Sequence, residues 1–232
     1  MRAEHGAASA VDGAGGAAAN VRIVGLEAWH APHLEVLQRV CFPTLGEAEL
    51  MRAPHFLRHL EVFPAGSFVA VTAGPEPVRV VGLGSGFRTE FDFERPQHTF
   101  REIIDDGWYG HHDPAGSWYY GADISVHPDL RGRGIGGRLY AARQALCRQL
   151  DLRGIVGGGV LPGFAAYKHV MSAEAYVAAV VAGRLRDPTL SMQLRQGFEV
   201  RGVLQGYLED RAADDWAALI VWPNPDWSGA RG

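Results

Sequence analysis

Apolar positions along this chain alternate between two periods, short runs at strand spacing and longer stretches at helical spacing. VRIVGL (21–26) predicts a first strand. From His30 to Cys41, Leu34, Leu37, Val40 and Cys41 recur at helical spacing, and Pro43 stops the pattern. Glu47 to Leu60 reads as a second helix that Pro54 interrupts or restarts. SFVAVTA (67–73), a GPEP turn and VRVVGLGSGFR (78–88) predict a hairpin. Residues 89–116 are polar and aromatic, with a short helical piece around Phe100–Asp105. That is long for a loop, which points to a functional segment or an insertion.

Trp118 to Val126 predicts the central strand. Strict alternation puts Tyr120, Ala122, Ile124 and Val126 on one face and Tyr119, Gly121, Asp123 and Ser125 on the other. A strong helix follows from Gly134 to Leu150, then a glycine-ended strand, GIVGGGV (154–160). Two short helices are expected over residues 162–188, with Ser172 opening one and Gly183 closing it. Asp187 and Pro188 read as the N-cap and first position of a helix ending at Gly197. Strands over 197–208 and 216–222 complete the pattern. The order β, α, α, β, β, β, α, β, α, β, β predicts one α/β domain over 21–225 with a mixed sheet. Residues 1–20, rich in Ala and Gly, read as a disordered tail, and 226–232 as a C-terminal tail.

Composition narrows the class. The chain has 232 residues, 47% hydrophobic, enough for one sizeable core. A net charge of −4 argues against broad nucleic-acid binding. Lys168 is the only lysine among 22 basic residues, so arginine richness says little by itself. Cys41 and Cys147 lack metal-ligand spacing and lie in helical patterns, which predicts buried free thiols and a cytoplasmic, reducing setting. No run approaches the ~18 apolar residues that a membrane helix requires.

The chemistry concentrates in Arg131-Gly132-Arg133-Gly134-Ile135-Gly136-Gly137, between the central strand and the strong helix. Glycines permit a tight turn, successive N–H groups converge on one concavity, and a helix N-terminus adds partial positive charge. These are the parts of a phosphate cradle. Gly132-x-Gly134-x-x-Gly137 matches a dinucleotide fingerprint only formally. His127 to Arg131 separates it from the strand, and the following strand ends without the acidic residue that a ribose requires. No Walker lysine is present.

Val126-x-Pro128 followed by Arg131-x-x-Gly134-x-Gly136 resembles the acyl-CoA signature of the GNAT superfamily of N-acetyltransferases, and the element order over about residues 21–222 resembles that family too. A narrower similarity, in the VHPDLRGRGIGGRLY, DPTL and QLRQGF stretches, is to GNAT domains fused to nitrilase-type amidases. Val160 and Phe164 depart from the Arg and Tyr expected there. The resemblance implies a splayed central sheet flanked by helices, with a helical insertion after the fifth strand. It implies acetyl-CoA or another acyl-CoA as co-substrate and an amine, small or peptide-borne, as acceptor. The diphosphate would lie on Arg131, Gly132, Arg133, Gly134, Ile135 and Gly136, and the pantetheine arm along Ile124 and Val126, whose N–H would face the oxyanion. The thioester would enter the split between strands 117–126 and 154–160. A homodimer is compatible, dimers being common in that superfamily.

Amine acylation needs a base, because a group with pKa near 10 costs about 4 kcal/mol to deprotonate at pH 7. Asp123, the only carboxylate in the central strand, is either that base or a structural anchor. Glu174, Glu199, Glu209 and Asp210 read as solvated. The family's usual acid, a Tyr four residues before Gly-Phe, is Gln193 here, so Tyr167 or Tyr207 would have to serve, or the thiolate leaves unprotonated. The same departure leaves open a second reading, an acyl-CoA-binding sensor or partner module with little activity. His111, His112 and Asp113 lack a third ligand at metal spacing, and His55 and His59 read as a solvated helix face.

Overall fold

The computed structural model describes residues 20–73 and 77–229; the N-terminal tail to residue 19, the centre of the GPEP turn and the last three residues lie outside them. Seven strands form one sheet in the order β1-β2-β3-β4-β5-β7-β6. They are β1 Val21–Gly25, β2 Ser67–Thr72, β3 Val80–Thr89, β4 Trp118–Val126, β5 Gly154–Val160, β6 Glu199–Leu204 and β7 Ala217–Pro223. Every pairing is antiparallel except β4 with β5. That parallel pairing covers only Trp118–Tyr120 against Gly154–Val156, after which the two strands part. The splayed, mixed sheet is the expected one.

Helices α1 (Ala31–Cys41) and α2 (Ala53–Val62) cover one face with the short α3 (Phe100–Ile103). Leu34, Leu37, Met51 and Phe56 bury against Val69, Val71 and Leu83 there. Helices α4 (Ile135–Gln149), α5 (Ala173–Val181) and α6 (Leu190–Arg195) cover the other. Leu139, Tyr140, Leu146 and Cys147 of α4 are buried on it, each large side chain contributing roughly 1.5–3 kcal/mol. We call these the α1 face and the α4 face. Both cysteines are free and buried.

The expected helix over 47–60 is two pieces. Glu47–Glu49 makes a single 3-10 turn, and α2 starts at Ala53 with Pro54 in its first turn, where its missing N–H costs nothing. The strand expected over 197–208 ends at Leu204, because Gly206 turns the chain at φ +61° and the Tyr207 N–H donates to the Asp215 carbonyl. Tyr207 is therefore a loop residue. The residue capping α6 is Thr189, yet Asp187 does the expected work: Oδ1 accepts from the N–H of Thr189 and Leu190, and Oδ2 from Gly163 N–H and the Tyr176 hydroxyl. At the C-terminal end, Asp226 pairs with Arg148 and Ser228 bonds Asp151, so residues 226–229 are docked on the sheet's corner.

Candidate active site

The alternation expected for β4 fails at one residue. Asp123 faces Ser85 and Gly121 faces Gly86, so Ala122 is an extra residue, a β-bulge. Up to the bulge, Tyr119 and Gly121 point to the α4 face and Tyr120 to the α1 face; beyond it, Ile124 and Val126 point to the α4 face and Asp123 to the α1 face. One inserted residue thus moves Asp123 away from the face it would share with Tyr119 and places it under α1, where Gln38 donates to its Oδ2.

Asp123 is buried, and its Oδ1 has no partner among the described residues. Burial pushes its carboxyl up to about 6, against the Gln38 bond and the Arg143 charge, which both pull it down. Arg143, from α4, lies buried on the other face above the glycines of β3 and β4. A Cβ on Gly84 or Gly121 would stand 3.3 Å from its guanidinium. Its Nη2 donates to Ser85 O at 2.7 Å, beside the bulge, and its guanidinium carbon is 5.8 and 5.7 Å from the Tyr119 and Tyr140 ring centres.

Past Tyr120 and Val156 the β4–β5 ladder stops, leaving a split between the two strands. His127 N–H donates to Val81 O, towards β3, so the N–H and C=O of Val126, and by alternation those of Ile124, point into the split. The β5 side of the split is bare backbone, Gly157-Gly158-Gly159. The space is filled from both faces. The Tyr207 ring lies where a Cβ on Gly158 would be, 2.2 Å away, and the Gln193 Oε1 where a Cβ on Gly159 would be, 2.4 Å away. Gln193 Nε2 donates to the Tyr140 hydroxyl at 3.2 Å, while its buried Oε1 has no partner among the described residues.

The loop at the head of α4 has the cradle form. Gly132 and Gly134 adopt φ +76° and +80°, and a Cβ on either would meet nothing within 4 Å. Arg138 is the first residue of α4 to reach back to a loop carbonyl, Gly134 O, so the N–H groups of Ile135, Gly136 and Gly137 precede the first helical bond. The Arg131 guanidinium is bonded within the fold. Its Nε donates to Val126 O and its Nη2 to Cys41 O, so it braces the end of β4 against α1.

On the α1 face, Tyr207 is one of the residues lining a cavity of about 530 Å³. Its walls carry Glu49, Glu102, Asp105, Asp106, Glu209 and Asp215, with Arg101 paired to Asp106. They come from the α1–α2 connection, the 89–116 segment and the β6–β7 loop. Glu49 is nearly buried; Oε1 accepts from Glu209 N–H, Oε2 has no partner among the described residues, and burial raises its carboxyl.

The remaining sequence candidates scatter. Tyr167 packs on Tyr176 with ring centres 5.4 Å apart, away from both Asp123 and Tyr207. Asp210, expected in solvent, is buried and accepts from Ala212 N–H; Glu174, Glu199 and Glu209 are exposed. His59, also expected in solvent, is buried, stacks on Tyr109 and bonds Gly107 O, and desolvation drives its pKa down to about 4. His112 Nδ1 accepts from Arg88 N–H. No three candidate ligands converge on a metal site among the described residues, and no described helix is long and apolar enough to cross a membrane.

A sheet opened between a parallel pair, beside a glycine-rich helix N-terminus, defines a GNAT-like α/β fold. A family model described as the acetyltransferase (GNAT) family matches residues 32–166. The chain is 35% identical over 189 residues to the uncharacterised N-acetyltransferase YkwB of Bacillus subtilis, covering 81% of this chain and 82% of that one. It is 38% identical over 192 residues to the probable hydrolase YhcX of the same organism; this match covers 82% of this chain but only 36% of the relative. The GphF GNAT-like decarboxylase, solved in complex with isobutyryl-CoA, superposes with a TM-score of 0.72 at 20% identity, covering 88% of this chain and 99% of that one. The chain belongs to the GNAT family of acetyltransferases.

Proposed function

We propose that the protein transfers an acyl group, acetyl in the simplest case, from acyl-CoA to a primary amine. The observation that carries this reading is the meeting of the open β4–β5 split with the glycine cradle. Gly132 and Gly134 leave room for a diphosphate, and the N–H groups of Ile135, Gly136 and Gly137 provide donors without intrahelical partners. Arg133 adds charge, while Arg131 holds the β4 end in place. The pantetheine arm would pair with the outward backbone groups of Ile124 and Val126. Its amides also suit the orphaned Gln193 Oε1, an acceptor in need of an N–H. Gln193 thus serves as a binder where the family commonly has an acid. Val126 N–H, aimed into the split, is positioned to stabilise the oxyanion.

The acceptor would approach from the α1 face, through the acidic cavity over Tyr207. Six carboxylates against one paired arginine favour an acceptor that arrives as a cation and reacts after losing a proton. Asp123 lies on that face but outside the cavity lining, so we assign it to the support of the bulge.

Release of free CoA thiol from acetyl-CoA, followed with a thiol reagent across an amine panel, tests the reading. Amine-dependent release is expected, with diamines giving at least tenfold higher kcat/KM than amino acids of similar size. Tight CoA binding with no turnover on any amine would instead leave a binding module.

A further inference from the structure

The buried Tyr207 hydroxyl is one end of a hydrogen-bonded chain that leads outward. It lies 2.9 Å from the Tyr120 hydroxyl, which lies 2.7 Å from His98 Nε2. His98 Nδ1 lies 2.7 Å from the Pro96 carbonyl. A carbonyl only accepts, so Nδ1 carries the hydrogen of the neutral ring and Nε2 is its acceptor. Every hydrogen along the chain is then fixed. Tyr120 donates to His98, Tyr207 donates to Tyr120, and the Tyr207 oxygen keeps its lone pairs for the Gly158 N–H and for one group in the split.

We propose that His98, Tyr120 and Tyr207 form a proton relay that draws the proton from the acceptor amine to His98. The proposal rests on the acyl-transfer reading above. As the amine nitrogen bonds to the acyl carbon and the C–S bond breaks, the electron pair leaves on the CoA thiolate. The proton from nitrogen passes to the Tyr207 oxygen, that of Tyr207 to Tyr120, and that of Tyr120 to His98 Nε2. His98 is half-buried, so the resulting imidazolium can return its proton to water. Protonation at Nε2 reverses each bond, which ties the relay to pH. The groups facing His98 are Tyr120 of β4, Tyr207 of the β6–β7 loop, the ring of Phe91 and, among the described residues, the charge of Glu102 of α3. Burial lowers its pKa more than Glu102 and the Pro96 carbonyl raise it, keeping the acceptor form at neutral pH.

Three variants and one wild-type measurement test this. In His98→Gln and Tyr120→Phe, kcat at pH 7 is expected to fall roughly 100-fold, the scale of a lost general base. KM for acetyl-CoA stays within twofold. The acidic limb of the wild-type pH profile, set by His98, gives way to a rise that continues towards the amine's own pKa, and imidazole partly restores His98→Ala. In the wild type, kcat in mixtures of light and heavy water should curve, as several protons move together. A wild-type pH profile in folded His98→Gln, or a flat isotope response in the wild type, would overturn the relay while leaving acyl transfer intact. Absence of turnover in the wild type itself would remove the acyl-transfer reading and the relay with it.

Discussion

Gly136→Glu is expected to weaken acyl-CoA binding at least 100-fold while leaving the protein as stable as before, or more so. Gly136 is the second residue of α4, and a Cβ there would meet only Val126 Cγ2 at 3.9 Å and Met192 Cε at 4.0 Å. For the fold alone the change is favourable. Replacing a helical glycine is worth about 0.5–1 kcal/mol, and a carboxylate in the first turn about 0.3–1 kcal/mol more. For a bound diphosphate it places a like charge a few ångströms away. At an effective dielectric near 20 that repulsion reaches about 4 kcal/mol, more than the ~2.7 kcal/mol a 100-fold loss requires. Gly136→Ala separates bulk from charge and should cost less than tenfold. Calorimetry with CoA beside a thermal melt reads both signs; unchanged CoA affinity in the Glu variant would place the diphosphate elsewhere.

Arg143→Met should strongly destabilise the fold. It removes a buried cation that bonds Ser85 O and tempers the Asp123 carboxylate. Breaking such a buried arrangement from one side costs about 3–5 kcal/mol, or about 10 °C in Tm for a domain of this size. The reverse holds for Asp123→Asn. The folded carboxyl titrates at about 6 and the unfolded one near 3.8, so the native state holds its proton over a range where the unfolded chain has released it. Wild-type stability therefore falls as pH rises from about 4 to 6, by about 3 kcal/mol in all. Asp123→Asn keeps a polar partner for Gln38 and removes that fall. It should match the wild type at pH 4, exceed it above pH 6, and recover part of the loss in Arg143→Met. Urea denaturation from pH 4 to 8 measures this; equal slopes in wild type and Asp123→Asn would refute it.

What the sequence made legible was local. The glycine loop, its helix and the order of seven strands each rest on periods or dipeptides within a few residues, and each is present. What it hid depends on pairing. Strict alternation misplaces Asp123 because a bulge at Ala122 leaves no mark in a run of otherwise strand-forming residues. Tyr207 reads as strand because Val203 and Leu204 precede it, and only the turn at Gly206 takes it out of the sheet. The acidic cavity joins Glu49, Glu102 and Glu209, three places in sequence that no charge run connects. His98 had no signal at all; its role exists only because the 89–116 segment folds back over Tyr120.

The three bare residues of β5 leave the width of the split to side chains from elsewhere in the fold. Gly157-Gly158-Gly159 contribute no side chain to the split, so the side chains that fill it there are Tyr207 from one side and Gln193 from the other. Those two residues sit on separate elements outside the sheet. Trimming Gln193 would widen the split without touching a strand hydrogen bond, at the cost of its bond to the Tyr140 hydroxyl.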